Sequence, residues 1–214
     1  MKMYFMLLIV ILLGFTLSIG SVYADLPIEM EKYDKIEKIS DYGVNSISYY
    51  KNINGYPLVV KLEYYDNEYK NLVDTNGYSI IKYAYNEKGY MTEISFFDKT
   101  KKPIEVSGYA TLKYKYNEMG YNIETAYYDS KGKLVNIDGY AMIKNEYDAR
   151  GYTTGIYYYG SNGKLTDNNG FAMIKYKYND KGNMTEWAYY NSKNQLVNVD
   201  KFAIAKYQFD DRGY

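Results

Sequence analysis

The chain has no histidine and no cysteine, and only one tryptophan and three prolines among 214 residues. Without histidine or cysteine there is no Ser/His/Asp triad, no cysteine nucleophile and no zinc site of the usual kind. The lack of cysteine also means that no disulfide staples the fold, so packing must hold it together. No G-x-G-x-x-G or G-x-x-x-x-G-K-[ST] loop occurs to cradle a phosphate. The sequence therefore predicts no catalytic residues, no cofactor and no metal, and the chain reads as a non-enzyme. Neither sign of charge is in excess: 26 basic residues face 26 acidic ones. That balance excludes a phosphate-tracking surface, and nucleic acid with it.

What the chain has in abundance is tyrosine, 32 residues against 7 phenylalanines. Such rings bury apolar faces while keeping a hydroxyl for water or a partner. Residues 1–24 read as an export signal: Lys2, an apolar run from Met6 to Leu17, then small residues Val22 and Ala24 before Asp25. Cleavage is expected after Ala24, and the alternative is an uncleaved membrane anchor, since the apolar stretch from Tyr4 to Ile19 approaches spanning length. Membrane contact is expected through this segment alone. No cysteine follows the run, which excludes a lipid-anchored lipoprotein.

The rest is one unit, copied. "GYSIIKYAYNEKGY" begins at Gly77, "GYATLKYKYNEMGY" at Gly108, "GYAMIKNEYDARGY" at Gly139, "GFAMIKYKYNDKGN" at Gly170 and "KFAIAKYQFDDRGY" at Lys201, a constant period of 31 residues. A worn copy, "GVNSISYYKNINGY", starts at Gly43. Fixed periods of this size mean arrays in which each unit buries its face on its neighbours. Residues 43–214 are the array, with the last copy incomplete, and the charged residues 25–42 are its N-terminal cap or linker, as a short helix or strand.

Within a copy, "GYATLKYKY" alternates, placing Ala110, Leu112, Tyr114 and Tyr116 on one face and Tyr109, Thr111, Lys113 and Lys115 on the other. "NEMG" opens a turn at Asn117 and closes it at Gly120, where a left-handed backbone carries no steric cost. "YNIETAYYD" is the returning strand of a hairpin, and "KLV" after the next turn is expected as a short third strand. The fold class is all-β: tandem 31-residue antiparallel hairpins or meanders forming an extended, twisted repeat sheet after an N-terminal signal helix. One face should be aromatic and the other charged. The preferred register opposes Tyr116 to Tyr121 and Lys113 to Glu124, and likewise Lys82 to Glu93, Lys175 to Glu186 and Lys144 to Gly155; a bulged turn would shift it.

Glu93, Glu124 and Glu186 recur on one face, but lysines opposite them make an ion-pair ladder, whereas paired catalytic acids need one carboxyl with a raised pKa. The turns at Asp74, Asn136 and Asp167 resemble the start of a calcium loop without its closing glutamate, and Asx-Gly is what a tight turn needs in any case.

The stretches "YKYNDKGNMTE" (176–186), "YYDSKGKLV" (127–135) and "YDARGY" (147–152) resemble the tyrosine-aspartate (YD) repeats of bacterial wall-associated and Rhs proteins, and more distantly MORN-type repeats. The resemblance implies a β-rich, non-catalytic scaffold or surface-binding array. The regular period, Asn in place of several Asp, and the missing toxin core depart from the Rhs pattern.

Aromatic rows at the unit spacing are the most functional-looking feature. Adjacent rings point to opposite faces, so Phe97, Tyr128, Tyr159 and Tyr190 are expected to form the more exposed column, and with Trp187 they are the candidate ligand platform. The expected protein is an exported, non-enzymatic binding or structural array of bacterial origin, located in the periplasm, at the cell surface or outside the cell. Its partner would be a cell-surface or extracellular protein or glycan. The alternative is a fragment of a larger Rhs-like or adhesin-type exported protein. The strand from Phe202 to Phe209 is expected at a sheet edge, where the chain either continues in its native form or self-associates.

Overall fold

A computed structural model describes residues 33–41 and 44–209. The expected signal helix lies outside the described residues, as does cleavage after Ala24. Among the described residues, twelve strands form a single antiparallel sheet in which each strand pairs with the next in sequence. They are β1 (Lys35–Asp41), β2 (Val44–Ile53), β3 (Tyr56–Tyr65), β4 (Ile80–Tyr85), β5 (Met91–Phe97), β6 (Thr111–Tyr116), β7 (Asn122–Tyr128), β8 (Met142–Tyr147), β9 (Thr153–Tyr159), β10 (Met173–Tyr178), β11 (Met184–Tyr190) and β12 (Ile204–Lys206). There is no helix among the described residues. Part of the cap expected as helix or strand is strand β1, which pairs with β2 from Lys35↔Tyr50 to Asp41↔Val44.

Each full copy contributes two strands, not three. The expected "KLV" strand is reduced to a single bridge, Tyr128↔Leu134. The reason is chain geometry: two tight turns flank the segment. Asp129 Oδ1 accepts the N–H groups of Lys131 and Lys133 at 2.9 and 2.8 Å, and Gly132 has φ +76°. Asp138 and Gly139 then take φ +51° and +97°, the two-residue turn that hairpins favour. Too few residues remain between these turns to form a ladder.

The hairpin turns sit where Gly89, Gly120, Gly151 and Gly182 place them, all at φ between +84° and +89°. The register inside each hairpin differs from the expected one. Lys115, not Lys113, opposes Glu124, because Tyr116 pairs with Asn122 and Ile123 is left over as a bulge. The cause is the turn: Asn117 Oδ1 accepts the Tyr121 N–H at 2.9 Å and draws Tyr121 into the loop. Loop and bulge together shift the strand by two residues, so the faces are preserved although every partner changes. Lys82 accordingly opposes Ser95, Lys175 opposes Ala188, and Gly155 is opposed by Glu146.

From β4 onward the sheet has one uncharged and one charged face. Ile81, Phe96, Tyr83, Ile94, Leu112, Tyr127, Tyr114 and Thr125 pair across strands on the first, and Lys113, Glu93, Lys115 and Glu124 on the second. Tyr109 departs from the alternation expected of it. It precedes β6 in the tight turn and packs its ring against Phe96 and Tyr127, at 5.9 and 5.2 Å between centroids.

Packing is thin, and the smallest residues are the most buried: Ala110, Ala126, Ala141, Ala172 and Ala188 are at most 1% exposed. The densest part is N-terminal. There Lys61 and Glu63 are buried side by side at 3.1 Å, the Tyr49 and Tyr65 hydroxyls donate to Glu63 at 2.6 and 2.9 Å, and Lys61 lies 3.7 Å from the Tyr49 ring centre.

Candidate functional site: two aromatic columns on opposite faces

Phe97, Tyr128, Tyr159 and Tyr190 end β5, β7, β9 and β11 on the charged face. Two strand spacings separate successive rings, about 9.6 Å. Each ring lies beneath a lysine ammonium of its hairpin partner strand: Lys82 over Phe97 at 4.5 Å, Lys113 over Tyr128 at 5.3 Å, Lys144 over Tyr159 at 5.3 Å, and Lys175 over Tyr190 at 4.8 Å. These are cation–π distances. The lysine roof leaves no signal in the sequence, because a diagonal contact depends on the register. The column and its neighbours Phe96, Tyr127, Tyr158 and Tyr189 are all half-buried.

Trp187 is not part of this column. It opposes Tyr176 and Ala205 on the uncharged face, packs edge-on to Tyr189 and Phe202, and donates its Nε1–H to the Tyr207 hydroxyl at 3.1 Å.

Beside the lysine-roofed column runs the ion-pair ladder. Glu93 meets Lys113 of the next copy at 3.3 Å; Glu124 lies between Lys115 at 2.7 Å and Lys144 at 3.4 Å; Glu186 lies between Lys177 at 2.8 Å and Lys206 at 3.7 Å. Burial would raise the Glu124 pKa, but its two ammonium neighbours outweigh that and hold it below the usual carboxylate range. A hydrogen bond from Lys177, with Lys206 nearby, lowers Glu186 likewise. The ladder breaks at the third full copy, where Gly155 replaces glutamate. A Cβ there would lie 2.6 Å from the Tyr157 ring, whose hydroxyl donates to Glu146 at 2.6 Å. The ladder carboxylates Glu93, Glu124 and Glu186 are thus paired with cations, and Glu146 with a phenol. Asn136 and Asp167 cap the next copy's loop, accepting the N–H groups of Ser161 and Ser192 at 2.8 and 2.7 Å.

The second column was hidden in the sequence. Tyr64, Tyr78, Phe96, Tyr109, Tyr127, Tyr140, Tyr158, Phe171, Tyr189 and Phe202 form an unbroken line of rings, each 4.6 to 6.3 Å from the next. Most contacts are edge-to-face or tilted, the favourable arrangements for quadrupolar rings. The signal was the repeated "GY" or "GF" opening each copy, whose ring fills the gap between returning strands.

No protein-family model matches the sequence, and a search of curated proteins finds no match.

Proposed function

We propose that this chain is an exported, non-enzymatic repeat array that binds a cell-surface or extracellular protein or glycan along the column Phe97, Tyr128, Tyr159 and Tyr190. One observation carries the reading: four ring-and-ammonium stations of one chemistry, spaced about 9.6 Å apart, match a ligand that itself repeats. The lysine over each ring supplies a donor to the ligand, and the part of the ring it leaves uncovered supplies apolar contact. The likeness to YD repeats agrees with this role, and the outer edge of β12, which pairs with no strand among the described residues, adds a route to self-association.

A glycan and protein binding screen with the exported chain tests the proposal. Tyr128→Ala with Tyr159→Ala should abolish retention, while Trp187→Ala, on the other face, should leave it intact. Retention unchanged by the double variant overturns the column as the site. Finding the protein outside the cytoplasm, with Asp25 as its first residue, tests export.

A further inference from the structure

Eleven charged residues lie in strands β4 to β12: Lys82, Glu93, Lys113, Lys115, Glu124, Lys144, Glu146, Lys175, Lys177, Glu186 and Lys206. Cross-strand pairing connects all of them on one face. The other face carries none. It is built from Tyr, Phe, Trp, Ile, Leu, Met, Thr, Ala and Asn, and its rings are half-buried within a single layer. Stable domains cover the apolar face of a sheet with a second layer, and uncharged surfaces rich in Tyr, Trp and Phe have the composition of interface cores.

From these observations we infer that the uncharged face packs against the same face of a second copy, making a two-layer sandwich between chains. Three features favour a second copy as the occupant. The first is area: eight strands about 4.8 Å apart and about 20 Å long, with the shorter β12 beside them, offer roughly 800 Å² per copy. Two copies bury roughly 1,600 Å², the size of a standard stable interface. The second is repetition, since both faces carry the same spacing and a two-fold axis brings every row onto an equivalent row. The third is desolvation: the Tyr85, Tyr116, Tyr147 and Tyr178 hydroxyls already donate to the carbonyls of Val59, Met91, Asn122 and Thr153 at 2.8 to 2.9 Å. Covering those four rings leaves their donors satisfied, and the hydroxyls of Tyr83, Tyr114 and Tyr176 on the same face would find partners across the interface.

Sedimentation of the full chain, wild type and variants, tests this. Thr125→Lys and, separately, Asn145→Lys place a charge in the uncharged face at half-buried positions without removing a ring. Each should weaken self-association roughly 100-fold or more, by analogy with burying an unpaired charge. Thr111→Lys, on the charged face, should leave association unchanged. Circular dichroism must show that β structure is retained; if Thr125→Lys unfolds the chain, Asn145→Lys decides. A monomeric wild-type chain overturns the inference. So does association that survives both lysines, which would place it in the N-terminal segment or at the β12 edge. Loss of glycan retention, with a monomeric wild type, by the same two variants would assign the face to a neutral glycan instead. The ligand column on the opposite face is tested separately, so either proposal can fail alone.

Discussion

The hydroxyl of Tyr116 donates to the backbone carbonyl of Met91, 2.8 Å away and 25 residues earlier in the chain. Met91 opens β5 beside that strand's bulge, where the ladder is interrupted. Tyr147 and Tyr178 make the same bond to Asn122 and Thr153 in their preceding copies. The bond gives the hydroxyl a role in these copies, whereas the last copy carries Phe209 at the same position. Tyr116→Phe keeps the ring contact with Tyr90 at 5.1 Å and removes the donor. Denaturant unfolding should show a loss of about 1 kcal/mol. An unchanged midpoint would mean that water replaces the hydroxyl without cost.

Gly120 is held by two separate constraints. Its φ is +86°, and a Cβ on it would lie 2.4 Å from the Tyr90 hydroxyl oxygen of the preceding copy. Gly132 has φ +76° with open space around it. Gly132→Val should therefore cost only backbone strain, roughly 1 to 3 kcal/mol. Gly120→Val should cost more, because the Tyr90 ring must also move. Adding Tyr90→Ala to each valine variant separates the two effects: the extra loss should narrow for Gly120 and not for Gly132. Equal thermal unfolding of the two single variants would remove the inter-copy clash from the account.

The repeat, the all-β class, the glycine turns and the two-faced sheet were legible because they depend on local properties: a 31-residue period, alternation, and glycine at positive φ. Register was not local. It depended on whether the Asn117 side chain would accept the Tyr121 N–H and on where the extra residue would bulge, and neither leaves a pattern in a single copy. The lysine roof over Tyr128 was lost with the register. Alternation extended two residues into a turn puts Tyr109 on the wrong face. Trp187 and Tyr190, three residues apart on one strand, could have been assigned to opposite faces from parity alone.

Lys61 and Glu63 are 7% and 4% exposed, so neither charge has water to fall back on. Glu63→Ala would take away the carboxylate 3.1 Å from the buried Lys61 ammonium and remove the acceptor for the Tyr49 and Tyr65 hydroxyls. The expected loss is about 3 to 5 kcal/mol, read from the denaturation midpoint. Lys61→Met with Glu63→Leu should recover most of it. Failure to recover would mean that the ion pair fixes the N-terminal geometry beyond balancing its own charges.

Glu124 has a folded-state pKa below its ordinary value, with Lys115 and Lys144 as the cause once burial is overcome. Its contribution is therefore present above the unfolded value, about 4.3, and fades as pH falls through the lower folded value. Both lysines are well exposed, so the gain is about 0 to 1 kcal/mol. Glu124→Gln should flatten the acid limb of the stability profile below about pH 5 and change little near neutrality. A profile that keeps the full acid slope in this variant would assign that slope to the turn carboxylates, such as Asp98 and Asp129, whose pKa values are lowered by backbone N–H groups.

The alkaline limb should be the steeper one, because the tyrosines on the uncharged face carry the opposite shift. Burial, followed by the repulsion of neighbouring phenols, pushes Tyr83 and Tyr114 up to about 12, and it raises Tyr109, Tyr127, Tyr158 and Tyr176 as well. A raised folded pKa means that the neutral ring is favoured by folding. The contribution is complete below the ordinary phenol value of about 10 and is lost as pH climbs through the folded value. Once ionisation unfolds the sheet, the released phenols all return to the ordinary value of about 10 and ionise together. Tyrosinate absorbance should therefore rise in a cooperative step between about pH 10 and 12, coinciding with loss of the β circular dichroism signal. Tyr83→Phe with Tyr114→Phe should move that step to higher pH, since two groups that favour the unfolded state on ionisation are gone. A gradual tyrosinate titration centred near pH 10, with the β signal intact, would show that water reaches these rings freely and that the uncharged face is not a desolvated surface.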